Sequence, residues 1–134
     1  MSKDWVKDIA AMQEKYGVHD WIETATHEQK MEFLKFRIAF LHEELEETET
    51  ASKSLDAEEI VDGLIDLCVV AIGTLDAFGV DSHTAWDEVL HANLKKEVGV
   101  KESRPNPLGL PDLIKPKDWT GPSHANNHGL FSKM

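Results

Sequence analysis

The acidic side chains of HEELEE, residues 42–47, and of EEIVDGLID, residues 58–66, are those whose type and spacing point to chemistry. Glu43 and Glu47 are four residues apart, and Glu44 and Glu47 are three apart. On a helix that spacing puts the three carboxylates on one face, with Cβ atoms about 5–6 Å apart. Like charges so placed destabilise a helix slightly, so taken alone the segment reads as a solvated acidic face, and Glu46 and Glu49 fit that role. The second segment is different. Between Glu59 and Asp76 the only charged residues are Asp62 and Asp66; every other residue is apolar, Gly or Thr. Glu59, Asp62 and Asp66 recur at helical spacing along one stripe. A carboxylate in an apolar helix is costly unless it is paired or ligates a metal, and too few basic residues lie nearby to pair them all.

An oxygen-only set without matching cations suits a hard divalent ion, Mg²⁺ or, in its place, Mn²⁺. Mg²⁺ is usually held by one or two carboxylates together with substrate phosphates, so the set predicts a phosphorylated substrate. The cations available to such a substrate are Arg37, Lys95, Lys96, Lys115 and Lys117. Trp21 and Trp119 are placed to stack on a base, whereas Trp86 reads as core. Glu88 and His91 form one Glu-x-x-His pair; a di-iron bundle needs two, so that chemistry is a remote alternative. An acidic helical module that binds a partner without catalysis is another, and it leaves Asp62 and Asp66 unexplained.

The elements that must position these groups are helices. Trp5, Ile9 and Met12 mark a first helix over about residues 3–15. Thr26 and Gln29 form a capping box for a second, with the stripe Leu34, Ile38, Leu41 and Leu45 running to about residue 50. Asp56 and Glu59 begin a third, which runs to Phe78 and Gly79, and a fourth spans about residues 81–97. The short loop between the second and third makes them antiparallel, so Glu43, Glu44 and Glu47 face Glu59, Asp62 and Asp66. Residues 99–134 hold all five prolines and four of the eight glycines, so they form an extended arm whose last ten or so residues are loose. Leu108, Leu110, Leu113, Ile114 and Trp119 would dock part of that arm. The chain therefore divides into a helical body, residues 1–98, and an arm and tail, residues 99–134. The third helix is apolar nearly all round, which predicts a homodimer or homotetramer.

Charge and cysteine content exclude several classes. The 134 residues carry a formal net charge of -11, yet residues 98–134 hold five basic and three acidic side chains. An acidic body argues against binding nucleic acid through a broad basic face. A single cysteine, Cys68, forbids an internal disulfide and reads as a buried structural thiol. The N-terminal residues lack a secretory apolar segment, and the longest mainly apolar uncharged run, Leu67 to Leu75, is too short to span a bilayer. A cytoplasmic protein is expected.

Taken together, these segments resemble the MazG-like all-α nucleotide pyrophosphohydrolases, and within them small phage-type members akin to phosphoribosyl-ATP pyrophosphohydrolase. The family pattern is E-E-x-x-E followed by E-x-x-D on the next helix. Residues 43–47, EELEE, are similar to the first half, and residues 58–81 to the second. In the second half two registers stay open: Glu59 with Asp62, or Asp62 with Asp66, where Gly63 stands in the usual glutamate position. AWDEVLHANLKK, residues 85–96, is similar to the fourth helix, with its N-x-x-K end on Asn93 and Lys96. DLIKPKDWTGP resembles the Lys-Pro-x-x-Trp arm of phage members. The likeness covers roughly residues 30–121. It implies a four-helix, oligomeric fold that hydrolyses nucleoside triphosphates to monophosphate and pyrophosphate with Mg²⁺, dGTP or dCTP being plausible substrates and phosphoribosyl-ATP an alternative. By the same resemblance, Glu43, Glu44, Glu47, Glu59, Asp62 and Asp66 are metal ligands. Glu44 or Glu47 would orient the attacking water, and Arg37, Asn93, Lys96, Lys115, Trp119 and Trp21 would bind substrate.

Overall fold

The structure is a computed structural model that describes residues 3–105, 108 and 112–134. Leu110, one of the residues expected to dock the arm, lies outside the described residues. Among the described residues there are five α-helices: α1 (Trp5–Lys15), α2 (Val18–Thr24), α3 (His27–Lys53), α4 (Ala57–Ala77) and α5 (Ser82–Leu94). Two short strands, β1 (Glu97–Gly99) and β2 (Asp112–Ile114), pair antiparallel with Val98 opposite Leu113. A 3₁₀ turn covers Gly129–Lys133. No helix of the described residues is long and apolar enough to cross a membrane. The chain groups into two compact units, one running to Ser82 and including His128–Met134, the other His83–Asn127.

In the first unit the helix ends are set by local chemistry. The Asp4 side chain accepts from the Lys7 amide at the start of α1. Thr26 and Gln29 form the full capping box expected for α3: the Gln29 amide N–H donates to Thr26 Oγ1 at 3.1 Å and the Thr26 N–H to Gln29 Oε1 at 2.8 Å. The helix α2 was not legible in the sequence. It is only seven residues long, begins at Gly17 with φ 75°, and supplies one buried residue, Ile22. A helix so short has too few turns to show an apolar period.

The core of this unit is built around Phe78, which is fully buried at the end of α4 beside Ile22 and Ala77. Phe33 and Leu34 of α3 pack on it, and so do Leu130 and Phe131. Where the sequence suggests a loose end, Phe131 stacks on Phe78 with ring centroids 4.3 Å apart, and the Leu130 N–H donates to the Phe78 carbonyl at 2.7 Å. Gly129 permits that approach: its φ is 54°, and a Cβ there would overlap the same carbonyl. Adjacent apolar residues at 130 and 131 in a short terminal segment gave no period to read.

In the second unit, Trp119 Nε1–H donates to the Ala92 carbonyl at 2.6 Å, which docks the arm on α5. Arg104 holds Asp112 with two donor contacts, 2.7 and 2.8 Å, at the foot of the strand pair. The Asp112 carboxyl is thereby held below the usual carboxylate range, chiefly by its bond from Arg104. Trp86, expected in the core, is 62 % exposed. Its spacing with Val89 and Leu90 gives α5 an apolar face, and one copy of the chain leaves that face open to water.

Candidate functional site

The candidate site lies on the antiparallel pair α3 and α4. The turn between them depends on Leu55, a non-glycine residue at φ 56°. The Asp56 N–H donates to the Ala51 carbonyl at 3.0 Å, and the Asp56 side chain then accepts from the Glu59 N–H at 3.2 Å, which starts α4. Two contacts set the register. Near the turn, buried Thr48 sits against buried Gly63, with Thr48 Oγ1 donating to the Glu44 carbonyl at 2.8 Å. At the far end, Arg37 Nε–H donates to Thr74 Oγ1 and its NH2 group to the Val70 carbonyl, each at 2.9 Å. On the antiparallel register those contacts set, Glu44 of α3 comes opposite the stretch of α4 that holds Asp66.

Electrostatics express that meeting. The Glu44 carboxyl is pushed above the usual carboxylate range, first by burial and then by the charges of Glu47, Asp66, Glu43 and Asp62, in that order. Carboxylates of both helices therefore act on one half-buried carboxyl. Glu59 is absent from the groups acting on it; it sits in the first turn of α4, where an acidic side chain favours the helix N-terminus. Among the described residues no cation forms an ion pair with Glu43, Glu44, Glu47, Glu59, Asp62 or Asp66.

Such a set fits a hard divalent cation by its chemistry: every donor is a carboxylate oxygen, and the repulsion on Glu44 is of the kind a cation relieves. In the present arrangement no group of three described His, Cys, Asp or Glu side chains is close enough to hold a metal ion. Glu44 and Asp66 are half-buried, whereas Glu43, Glu47, Glu59 and Asp62 are exposed.

The other residues singled out in the sequence fall into separate places. Arg37 is turned into the α3–α4 interface. Its guanidinium lies 5.9 Å from the Phe33 ring centroid and 5.8 Å from that of Phe40, and desolvation pulls its pKa down. Trp21 packs on Phe33 with centroids 5.1 Å apart and keeps 41 % of its surface exposed. In the second unit Lys96 and Lys115 each place an ammonium over the Trp119 ring, at 5.3 and 5.1 Å from its centroid. Asn93 is exposed on α5, one residue beyond the carbonyl that Trp119 holds.

Several residues that shape the site were not singled out from the sequence. Buried Gln13 of α1 donates to the Gly73 carbonyl at 3.0 Å, and Gly73 leaves room for Arg37, whose NH2 nitrogen would lie 2.7 Å from a Cβ there. His19 bridges Glu14 and Asp76 at 2.7 and 2.6 Å. The one available signal was glycine in mid-helix at 63 and 73, which marks close approach by a neighbour.

A comparison with protein families matches residues 18–93 to the model for phosphoribosyl-ATP pyrophosphohydrolase. No curated protein and no solved structure matches the chain. The matched stretch begins at α2, contains α3 and α4 with Glu43, Glu44, Glu47, Glu59, Asp62 and Asp66, and ends at Asn93 of α5.

Proposed function

The chain belongs to the phosphoribosyl-ATP pyrophosphohydrolase family, hydrolases that act on the diphosphate bonds of nucleotides, and from that premise we propose that it hydrolyses nucleoside triphosphates, deoxynucleotides above all, to monophosphate and pyrophosphate. Water adds across the anhydride between the α and β phosphates: the oxygen of water joins the α phosphorus, the bridging oxygen leaves with pyrophosphate, and the proton released passes to a carboxylate or to solvent. The observation that supports this reading most is that the half-buried Glu44 feels the charges of carboxylates on both helices, Glu47 and Glu43 on α3 and Asp66 and Asp62 on α4.

In this proposal Glu43, Glu44, Glu47, Asp62 and Asp66 would hold Mg²⁺, with Glu59 nearest the turn. The ion would supply charge neutralisation on the phosphates and a lowered pKa for bound water. The chain's own groups do the rest. Glu44 or the more exposed Glu47 takes the proton from water. Arg37 fixes the register of α3 on α4, so that the carboxylates stay level. By the resemblance, Asn93, Lys96 and Lys115 would be the phosphate contacts, and Trp21 or Trp119 would stack on the base. The exposed apolar side chains Leu45, Val61, Leu64 and Ile65 lie on the same two helices and are the surface through which a homo-oligomer forms.

Chromatography of each common NTP and dNTP, incubated with protein and Mg²⁺ or with EDTA, tests the reaction. Monophosphate and pyrophosphate in equal amounts, lost in EDTA and in Glu47→Ala and Asp66→Ala, are expected. Turnover unchanged in those two variants would refute the assignment. Phosphoribosyl-ATP is the second reading, favoured by the matched family, and belongs in the same panel.

A further inference from the structure

We propose that the groove between the α2 end and the α3 start is a nucleobase site selective for guanine; this rests on the nucleotide reading above and names its base. The groove is open, about 600 Å³ in volume, and lined by Trp21, Thr26, Glu28, Gln29, Glu32 and Phe33. Its floor is aromatic: the Trp21 and Phe33 rings are 5.1 Å apart and tilted by 48°, so a flat ring stacks on one while its edge meets the other. Its rim is hydrogen-bonding and carries a definite pattern.

That pattern comes from the helix cap. Gln29 Oε1 already accepts from the Thr26 N–H at 2.8 Å, which fixes the amide so that the NH2 group is the end left to face a ligand. At this position Gln29 is a donor. Glu28 and Glu32, one turn apart on α3, are acceptors only. Glu32 is engaged by Lys35 at 3.4 Å across an exposed surface, a contact too weak to withhold the carboxylate. A base suited to this rim must offer adjacent N–H donors to a carboxylate and an acceptor to the Gln29 amide. Guanine does so, with N1–H and the N2 amino group side by side and O6 next to them. Adenine has one amino group beside an acceptor nitrogen, cytosine one amino group beside two acceptors, and uracil and thymine turn two carbonyl oxygens towards the acidic rim.

Placement along α3 agrees. Phe33 and Glu44 are eleven residues apart, roughly 16 Å along the helix axis, with Arg37 lying against Phe33 between them. A nucleotide with its base in the groove extends its phosphates along α3 towards the carboxylates.

Binding is read without catalysis. Titrate dGMP, dAMP, dCMP and dTMP into the metal-free protein in EDTA, by calorimetry and by tryptophan fluorescence. The proposal expects dGMP to bind at least tenfold more tightly than the others and to quench fluorescence, with Trp21→Phe keeping affinity and losing most of the quench. Glu28→Gln with Glu32→Gln leaves the aromatic floor intact and should reduce the preference for dGMP to within about threefold. Equal binding of all four, no binding of any at millimolar concentration, or a preference that survives the double substitution overturns the proposal. A protein that hydrolyses every dNTP equally fails this proposal and keeps the hydrolase reading; one that binds dGMP selectively and releases no pyrophosphate does the reverse.

Discussion

A methyl group added at Gly63 tests the geometry on which the site depends. A Cβ there would overlap Thr48 Oγ1 and lie 3.2 Å from Thr48 Cβ and 3.5 Å from Thr48 Cα. Thr48 has no easy escape. Its hydroxyl is tied to the Glu44 carbonyl at 2.8 Å, and rotation of a β-branched side chain exchanges the hydroxyl for a methyl of similar size. Overpacking of this kind costs about 1–3 kcal/mol, while Ala in place of Gly in mid-helix returns about 1 kcal/mol. Gly63→Ala should therefore destabilise by up to about 2 kcal/mol, a fall of up to roughly 8 °C in Tm for a chain of this size. In a Thr48→Ala background the hydroxyl is gone, the remaining contact needs a shift of a few tenths of an ångström, and the propensity gain offsets it. There the same substitution should be neutral or slightly stabilising. Thermal unfolding followed by circular dichroism on the four proteins gives the coupling directly. Pyrophosphate release should follow the same order, because Asp62 and Asp66 flank Gly63. If Gly63→Ala has the same effect in both backgrounds, or raises Tm in the wild type, then α3 and α4 do not meet at Thr48 and Gly63, and the level placement of Glu44 with Asp66 falls with it.

Three further predictions rest on single residues. Glu44→Gln removes one member of a like-charged group; at a few tenths of a kcal/mol per neighbour, the metal-free protein should gain about 1 kcal/mol at neutral pH while pyrophosphate release is lost, and a lower Tm in EDTA would contradict the repulsion. His19 has its pKa raised, chiefly by its bonds to Asp76 and Glu14. Its stabilising effect is thus complete below the ordinary histidine value and is lost as pH rises through the raised one, so the Tm gap between wild type and His19→Gln should be widest near pH 5.5 and close in alkaline buffer; a gap independent of pH would refute the bridge. Leu55→Gly should stabilise by about 0.5–1 kcal/mol, because Leu55 occupies the left-handed region and is 84 % exposed, with little packing to lose; a fall in urea midpoint would show the side chain to be packed.

What the sequence made legible follows from which signals are periodic. The helices α3 and α4 repeat their apolar residues over many turns, and both begin with cap chemistry that the structure retains at Thr26 and Asp56. Charge inside the apolar α4 marked Asp62 and Asp66, and the structure puts both among the groups acting on Glu44. Non-periodic features stayed hidden. The seven residues of α2 and the 3₁₀ turn that carries Phe131 onto Phe78 are each shorter than the window in which a period shows. Arg37 was legible as a cation near the carboxylates, but its bonds into α4 depend on Gly73 and Thr74, thirty-six and thirty-seven residues away, and only the folded register makes that meeting visible.

That register also accounts for how the chain tolerates its site. The contacts between α3 and α4 that carry specific chemistry, Thr48 on Gly63 and Arg37 on Val70 and Thr74, lie on either side of the stretch where Glu44 comes opposite Asp66. Carboxylate repulsion acts to separate the helices between two points where hydroxyl, backbone and guanidinium hold them together. Arg37 suits one of these points because it is a cation that meets no carboxylate there; its charge is spread over Phe33 and Phe40 and its donors are taken by oxygens of α4. A lysine in its place would keep the charge and lose the fork that spans Val70 and Thr74. Among the described residues the carboxylates can then remain unpaired by protein cations without the pair of helices coming apart.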